Sequence, residues 1–300
     1  MWLILSLLAY TLFAGATITD KYLLARPIKD ARVYAFYTGV LGFFAFALVP
    51  FGFDIPSPII IFFGILAGII FIVALFLFFS ALRIGEVSRV GISLGGLTPF
   101  FTLLFVYIGT GNAPNPAQFI AFLLLMGGSL IIIFERLSKL VYNLEKLGLV
   151  LASSFLFGLY FTIAKFLFDT QSFISAFIFI KIGGALFALL FLLSPSVRKM
   201  LFKHKKSLSP KIGKIFVAKN AAGGVAALLL HLAISTARFG EIALINALQG
   251  VQFALVFLMA IFLTRKYPKI IKEEMSLQDI IVKAVGAGLI IIGVVMLAVA

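Results

Sequence analysis

Long apolar runs separated by short polar breaks recur from one end of the chain to the other. The pattern predicts ten helical spans, at 2–19, 32–49, 58–81, 88–108, 116–134, 147–166, 173–194, 212–236, 242–264 and 279–299. Their lengths suit the roughly 20 residues a helix needs to cross a bilayer. Proline marks the turns: Pro50, Pro56 and Pro58 between spans 2 and 3, Pro114 and Pro116 between spans 4 and 5. The first span lacks a basic leading region and its counterpart at 147–166 is internal, so it is expected as a transmembrane helix and not a cleaved signal peptide. Small residues recur inside the spans, as in Gly64-x-x-x-Gly68, Gly91-x-x-x-Gly95, Gly183-Gly184 and Gly223-Gly224, and predict close helix packing. Residues 195–211 read as a basic loop, and no soluble domain is predicted.

The chain writes one phrase twice. Ser80-Ala81-Leu82-Arg83-Ile84-Gly85-Glu86 and Ser235-Thr236-Ala237-Arg238-Phe239-Gly240-Glu241 both read S-x-x-R-x-G-E, 155 residues apart. The phrase suits a helix end: Arg near the last carbonyls, a Gly free to turn left-handed, and Glu opening the next helix. Other matches fall in the same order. Leu12-Phe13-Ala14 and Lys21 match Leu156-Phe157-Gly158 and Lys165, and Gly39 and Phe43 match Gly183 and Phe187, all 144 residues apart. Gln118, Gly128, Ile131 and Ile132 match Gln278, Gly288, Ile291 and Ile292, 160 residues apart. This predicts an internal duplication, with residues 1–140 and 141–300 as the two repeats. Five spans per repeat is an odd number, which places the repeats in opposite orientation. The expected fold is an all-α polytopic membrane protein, ten transmembrane helices in two inverted five-helix repeats.

Composition agrees. At 63% hydrophobic and 12% charged residues, with a mean hydropathy of +1.19, the chain has too little charge to cover a soluble surface. The net charge of +14 does not point to nucleic acid, because most bases lie in short loops beside apolar runs, where they set topology and meet lipid headgroups. The loops after spans 1, 3, 5, 7 and 9 carry 20 Lys and Arg residues, whereas the opposite side carries Lys165 and Arg238 alone. The positive-inside rule then puts both termini outside the cytoplasm of a cell-membrane protein. With no cysteine, and with His204 and His231 far apart, no thiol chemistry, disulfide or histidine-based metal site is predicted.

The ten-span plan, the phrase A-L-R-I-G-E-V-S-R followed by Leu94, Leu97 and Pro99, and the ending with Glu274, Ser276 and Asp279 before Gly286, Gly288, Gly293 and Val294 together resemble the EamA-type carriers of the drug/metabolite transporter superfamily. The resemblance spans nearly the whole chain. It implies a carrier of small organic metabolites working by alternating access, with a cavity between spans 1–4 and 6–9. It leaves spans 5 and 10 peripheral and available for a homodimer. Two features depart from the family's pattern. Such carriers are usually drawn with cytoplasmic termini, and Pro99 has no counterpart in span 9, where Gln249, Gln252 and Phe253 stand.

Within the spans, the polar residues are the candidates for chemistry. Lys181 lies seven or so residues into span 7, about 10 Å deep at helical rise. It reads either as a lysine snorkelling to the interface or as a cation awaiting an anionic substrate group, since no carboxylate can be assigned to it at mid-membrane. Asn246, Gln249 and Gln252 repeat at i, i+3 and predict one polar stripe on span 9, for helix bonding or for cavity lining. Candidate partners are Asn220 and His231 on span 8, Tyr10 and Thr17 on span 1, Tyr37 on span 2, and Tyr160 and Thr162 on span 6. His231 is a proton-linked group or a buried neutral histidine, and Lys219 is expected to snorkel to the basic side. Gly91-Ile92-Ser93-Leu94-Gly95 spells G-x-S-x-G, but the nucleophile elbow needs a strand before it and none is predicted. An intramembrane enzyme using Ser93 and His231 remains the alternative to a carrier, as does a lipid translocase. No phosphate loop or dinucleotide fingerprint is present, so no nucleotide cofactor is expected.

Overall fold

A computed structural model describes residues 1–25, 30–84, 87–111, 113–134, 144–203, 210–266 and 277–299. Among the described residues every regular element is a helix. The physical reason is that hydrocarbon offers no partner for backbone N–H and C=O groups, and an α-helix satisfies its own. In order they are α1 (Trp2–Ala25), α2 (Ala31–Val40, continued to Phe51 as a 3₁₀ helix), α3 (Pro58–Ile84), α4 (Val87–Thr110), α5 (Pro116–Phe134) and α6 (Leu144–Thr170). Next come α7 (Phe173–Leu190, with a 3₁₀ turn to Leu193), α8 (Pro195–Lys203), α9 (Pro210–Thr236), α10 (Ile242–Ala247), α11 (Gln249–Lys266) and α12 (Leu277–Val299). Among the described residues, seven segments are long and apolar enough to cross a membrane, and Leu94–Thr110, Pro116–Gly128 and Ala284–Val299 form shorter apolar helices. This is a multi-pass, all-helical membrane protein.

Two sequence expectations change here. The span predicted at 242–264 is interrupted: a single residue, Leu248, itself in right-handed helical conformation, separates α10 from α11, and Phe239–Met259 is still one apolar span. Residues 195–211, expected as loop, begin with the amphipathic helix α8.

Glycine decides which helices touch most closely. On α3, a Cβ at Gly64 would come within 2.8 Å of Phe179, and one at Gly68 would overlap the Ile180 carbonyl and the Gly184 amide. Gly183 in turn abuts the backbone of Ile65. The expected small-residue packing is therefore realised between α3 and α7. It recurs between α5 and α12, where a Cβ at Gly128 would stand 2.6 Å from the Gly286 carbonyl and one at Gly293 would stand 2.8 Å from Leu125. The two expected peripheral helices thus pack on each other, and their other faces, with Ile120, Leu123, Ile291 and Val295, are exposed. Gly223 and Gly224 on α9 differ: nothing lies within 4 Å of where a side chain would start.

At the basic-loop end, Asp30 caps α2. Its carboxylate accepts from the Arg32 backbone N–H at 2.9 Å and from Arg32 Nη2 at 2.7 Å. Arg32 also reaches Ser194 and Ser196, tying α2 to the turn before α8. Burial works to raise the Asp30 pKa, but the hydrogen bonds and charge of Arg32 prevail and hold it below the usual carboxylate value.

Candidate functional site

The polar residues inside the bundle fall into four groups. The first surrounds Lys181. Ser172 caps α7, its Oγ accepting from the Ser175 N–H, and the helix carries Lys181 two turns inward. The Lys181 ammonium stands 5.1 Å from the Phe71 ring centroid and 5.0 Å from that of Phe177. Such contacts stabilise a cation by about 0.5–2 kcal/mol each, and the two together are comparable with a lysine's cost of about 2.5–3.5 kcal/mol at mid-membrane on insertion scales. The residue is half-buried, and among the described residues no carboxylate meets it. Phe177 also faces His231, ring centroids 5.2 Å apart, and Phe71 faces Tyr160 at 4.9 Å. His231 is satisfied: Nδ1 meets the Ala227 carbonyl at 2.5 Å and Nε2 bonds the Tyr160 hydroxyl. A neutral imidazole donating from Nδ1 and accepting at Nε2 fits both bonds. Lys181, His231 and Tyr160 therefore share one aromatic box between α3, α6, α7 and α9.

The second group lies towards the basic loops. Lys219 does not snorkel as expected. Its ammonium pairs with Asp20 at 2.7 Å, with both side chains about nine-tenths buried, and sits 4.8 Å from the Tyr34 ring centroid. The Tyr34 hydroxyl donates to the same carboxylate. Asn220 turns to the Phe216 carbonyl at 2.8 Å, and Phe216 packs on Tyr34 and Tyr37 with ring centroids 5.9 and 5.3 Å apart. This knot joins α1 and α2 to α9. Sequence reasoning missed Asp20 because it stands beside Lys21 at the end of an apolar run, where a charged pair reads as a loop.

The third group takes in the predicted carboxamide stripe. The i, i+3 spacing drifts by about 60° per step around a helix, and the members of the stripe meet different neighbours. Asn246 donates to Thr102 on α4 at 2.8 Å, and Gln252 donates to Thr17 on α1 at 2.9 Å. Both are buried, Gln249 is half-buried, and no described contact joins any of the three to Lys181. Tyr10, also buried, packs against Phe13 of its own helix.

The fourth group forms a pocket of about 700 Å³ at the opposite end of the bundle, lined by Lys165, Asp169, Arg238, Glu241, Asn115 and Gln118, among others. Here stands the second copy of the repeated phrase. Ser235 lies in the last turn of α9, and Glu241 accepts from the Arg238 backbone N–H at 2.7 Å, opening α10 as expected. Gly240 is not left-handed: among the described residues only Gly52 and Gly111 have positive φ. Its small size matters instead for close approach, because a Cβ would come within 3.0 Å of the Ala113 carbonyl. Lys165 is buried and pairs with Asp169 at 2.5 Å. In the first copy, Ser80 donates to the Phe76 carbonyl and Arg83 is exposed in the last turn of α3, whereas Gly85 and Glu86 lie outside the described residues, as does His204. The side chain of Ser93 also lies outside them.

No protein-family model and no curated protein matches the chain. A chain in a solved crystal structure superposes on it with a TM-score of 0.66 and 19% identity, over 99% of this chain and 96% of that one. The two share a fold. At that identity the likeness carries no residue roles, and the chemistry rests on the groups above.

Proposed function

We propose that the chain is an EamA-type secondary carrier of small organic metabolites, built as ten transmembrane helices in two inverted repeats with both termini extracytoplasmic. The pairing of helices supports the repeat. If α1–α5 correspond to α6, α7, α9, α10–α11 and α12, exchanging the halves maps α1 against α9 onto α6 against α3, and α1 against α11 onto α6 against α4; all four pairs are packed. Likewise α5 packs on α12, α2 on α7 and α4 on α10 and α11, as self-corresponding pairs should.

The observation that carries the functional reading is Lys181, a cation inside a membrane bundle, held by two aromatic faces and facing no carboxylate among the described residues. An intramembrane ionisable group of this kind marks a substrate path, and its charge favours a carboxylate or a zwitterion. Substrate would enter by alternating access, with the polar pocket at Lys165 and Arg238 as one mouth and the Asp20–Lys219 knot closing the other. The enzyme reading is weaker, because His231 already spends both ring nitrogens on Ala227 and Tyr160.

Counterflow in proteoliposomes with pooled labelled metabolites tests the reading, with exchange of a carboxylate-bearing solute expected. Hydrolysis without flux would favour the enzyme, and flux of labelled lipid alone would favour the translocase. The topology has its own test: with no native thiols, an impermeant maleimide should label a cysteine at Ala300 but not one at Ser207 in intact cells. The reverse pattern would invert the proposed orientation.

A further inference from the structure

Three buried side-chain oxygens have no hydrogen-bond partner among the described residues: Thr98 Oγ1, Ser154 Oγ and Asn246 Oδ1. They belong to α4, α6 and α10, three helices that pack on one another. Thr102 is the point where these helices converge. Asn246 Nδ2 donates to Thr102 Oγ1 at 2.8 Å, and Thr102 in turn donates to the Thr98 carbonyl at 2.9 Å. Gly158, one turn beyond Ser154 on α6, abuts the Thr102 backbone, where a Cβ would come within 2.9 Å of its nitrogen. Asn246 and Thr102 thus each spend a donor, while the Asn246 carboxamide oxygen and the Thr98 and Ser154 hydroxyls are left unmet. Thr98, Ser154 and Asn246 are 1%, 0% and 0% exposed, so bulk water does not satisfy them.

The backbone adds to the set. Pro99, inside α4, has no N–H to offer the carbonyl of Gly95, which is buried one turn earlier. Gly95, Thr98 and Thr102 recur at helical spacing on the face that meets Asn246. A buried polar atom without a partner is destabilising, and three on helices that pack on one another call for something to meet them.

We propose that the crossing of α4, α6 and α10 is a binding site for one sodium ion, held by Thr98 Oγ1, Ser154 Oγ, Asn246 Oδ1 and the Gly95 carbonyl that Pro99 leaves without its helical donor. Hard oxygen donors suit an alkali or alkaline-earth ion. The absence of any carboxylate from the donor set selects a monovalent one, because a dication in a buried neutral cage lacks the charge that calcium sites supply. Combined with the carrier reading, on which its role in coupling rests, the site names the ion that would drive transport.

The test is binding of radiolabelled sodium to the purified full chain in detergent, together with thermal melting in sodium, potassium or choline chloride. Saturable binding near one ion per chain is expected, with a melting temperature raised by sodium and not by choline. Thr98→Val keeps the side-chain shape and removes one ligand. It should lower sodium affinity at least tenfold, yet melt in choline at or above the wild-type temperature, since it deletes an orphaned hydroxyl. Ser154→Ala should act in the same direction. Absence of saturable sodium binding in the wild type, or equal sodium affinity in wild type and Thr98→Val, would overturn the proposal and leave the crossing to an ordinary buried water. Because the assay needs no flux, it stands or falls independently of the counterflow result.

Discussion

Lys181→Met is expected to abolish transport while leaving expression and detergent stability near or above wild type. The direction of the stability effect follows from solvation. A lysine within the apolar part of a bilayer costs about 2.5–3.5 kcal/mol on insertion scales, which the faces of Phe71 and Phe177 offset by about 0.5–2 kcal/mol each. Methionine fills much the same volume without the charge and makes favourable sulfur–aromatic contacts. Stability and function should therefore separate: the variant folds, and uptake falls to background. Lys181→Arg keeps the cation but spreads it over a planar group that stacks on rings, so partial activity is expected. Measuring counterflow beside the melting temperature decides the matter. Wild-type flux in Lys181→Met would make this lysine an anchor, and the anionic-substrate reading would fall with it.

The second large effect belongs to the Asp20–Lys219 pair. Asp20→Asn or Lys219→Met alone removes one partner of an ion pair whose side chains are 10% and 7% exposed. The survivor is left as an uncompensated buried charge, which typically costs about 3–5 kcal/mol. The double variant has no stranded charge and should recover much of the loss, because replacing both members of a buried pair is often close to neutral. A double-mutant cycle on detergent melting measures this non-additivity. Should both single variants melt with the wild type, water reaches the pair and it does not hold the basic-loop end shut. Tyr34→Phe, which removes only the hydroxyl bonded to Asp20, should have a smaller effect in the same direction.

The fold was legible in the sequence where a physical constraint is one-dimensional. A run long enough to cross hydrocarbon must be a helix, so the helices at 58–84 and 144–170 could be read directly. Lys181 was legible for the same reason: a charge amid Phe177, Ile178, Phe179, Ile180 and Ile182 has no bland surroundings. What could not be read depends on three-dimensional contact. The stripe of Asn246, Gln249 and Gln252 drifts around its helix, and only the packing of α4 and α1 gives Asn246 and Gln252 the separate partners Thr102 and Thr17. Asp20 and Lys219 are 199 positions apart, and only the packing of α1 on α9 makes them partners. Thr98 and Ser154 are common membrane-helix residues. They become informative through the absence of a partner, which a sequence does not record.

The glycines of α9 bear on motion. Under the proposed duplication, counting 155 residues from Gly68 reaches Gly223, and counting 144 back from Gly183 reaches Gly39. Gly68 and Gly183 are the centre of the closed α3–α7 seam, whereas Gly223 faces open space and α9 meets α2 through Phe216 on Tyr34 and Tyr37, near the start of both helices. One seam is zipped and its mirror is not. On the proposed inverted-repeat reading, a molecule with two such seams would have two conformers of equivalent construction, with the open space beside Gly223 as the mould of the second. The energetic gap between them is then set by the few side chains that break the mirror. Lys219, standing where the other repeat has Gly64, is the largest of these.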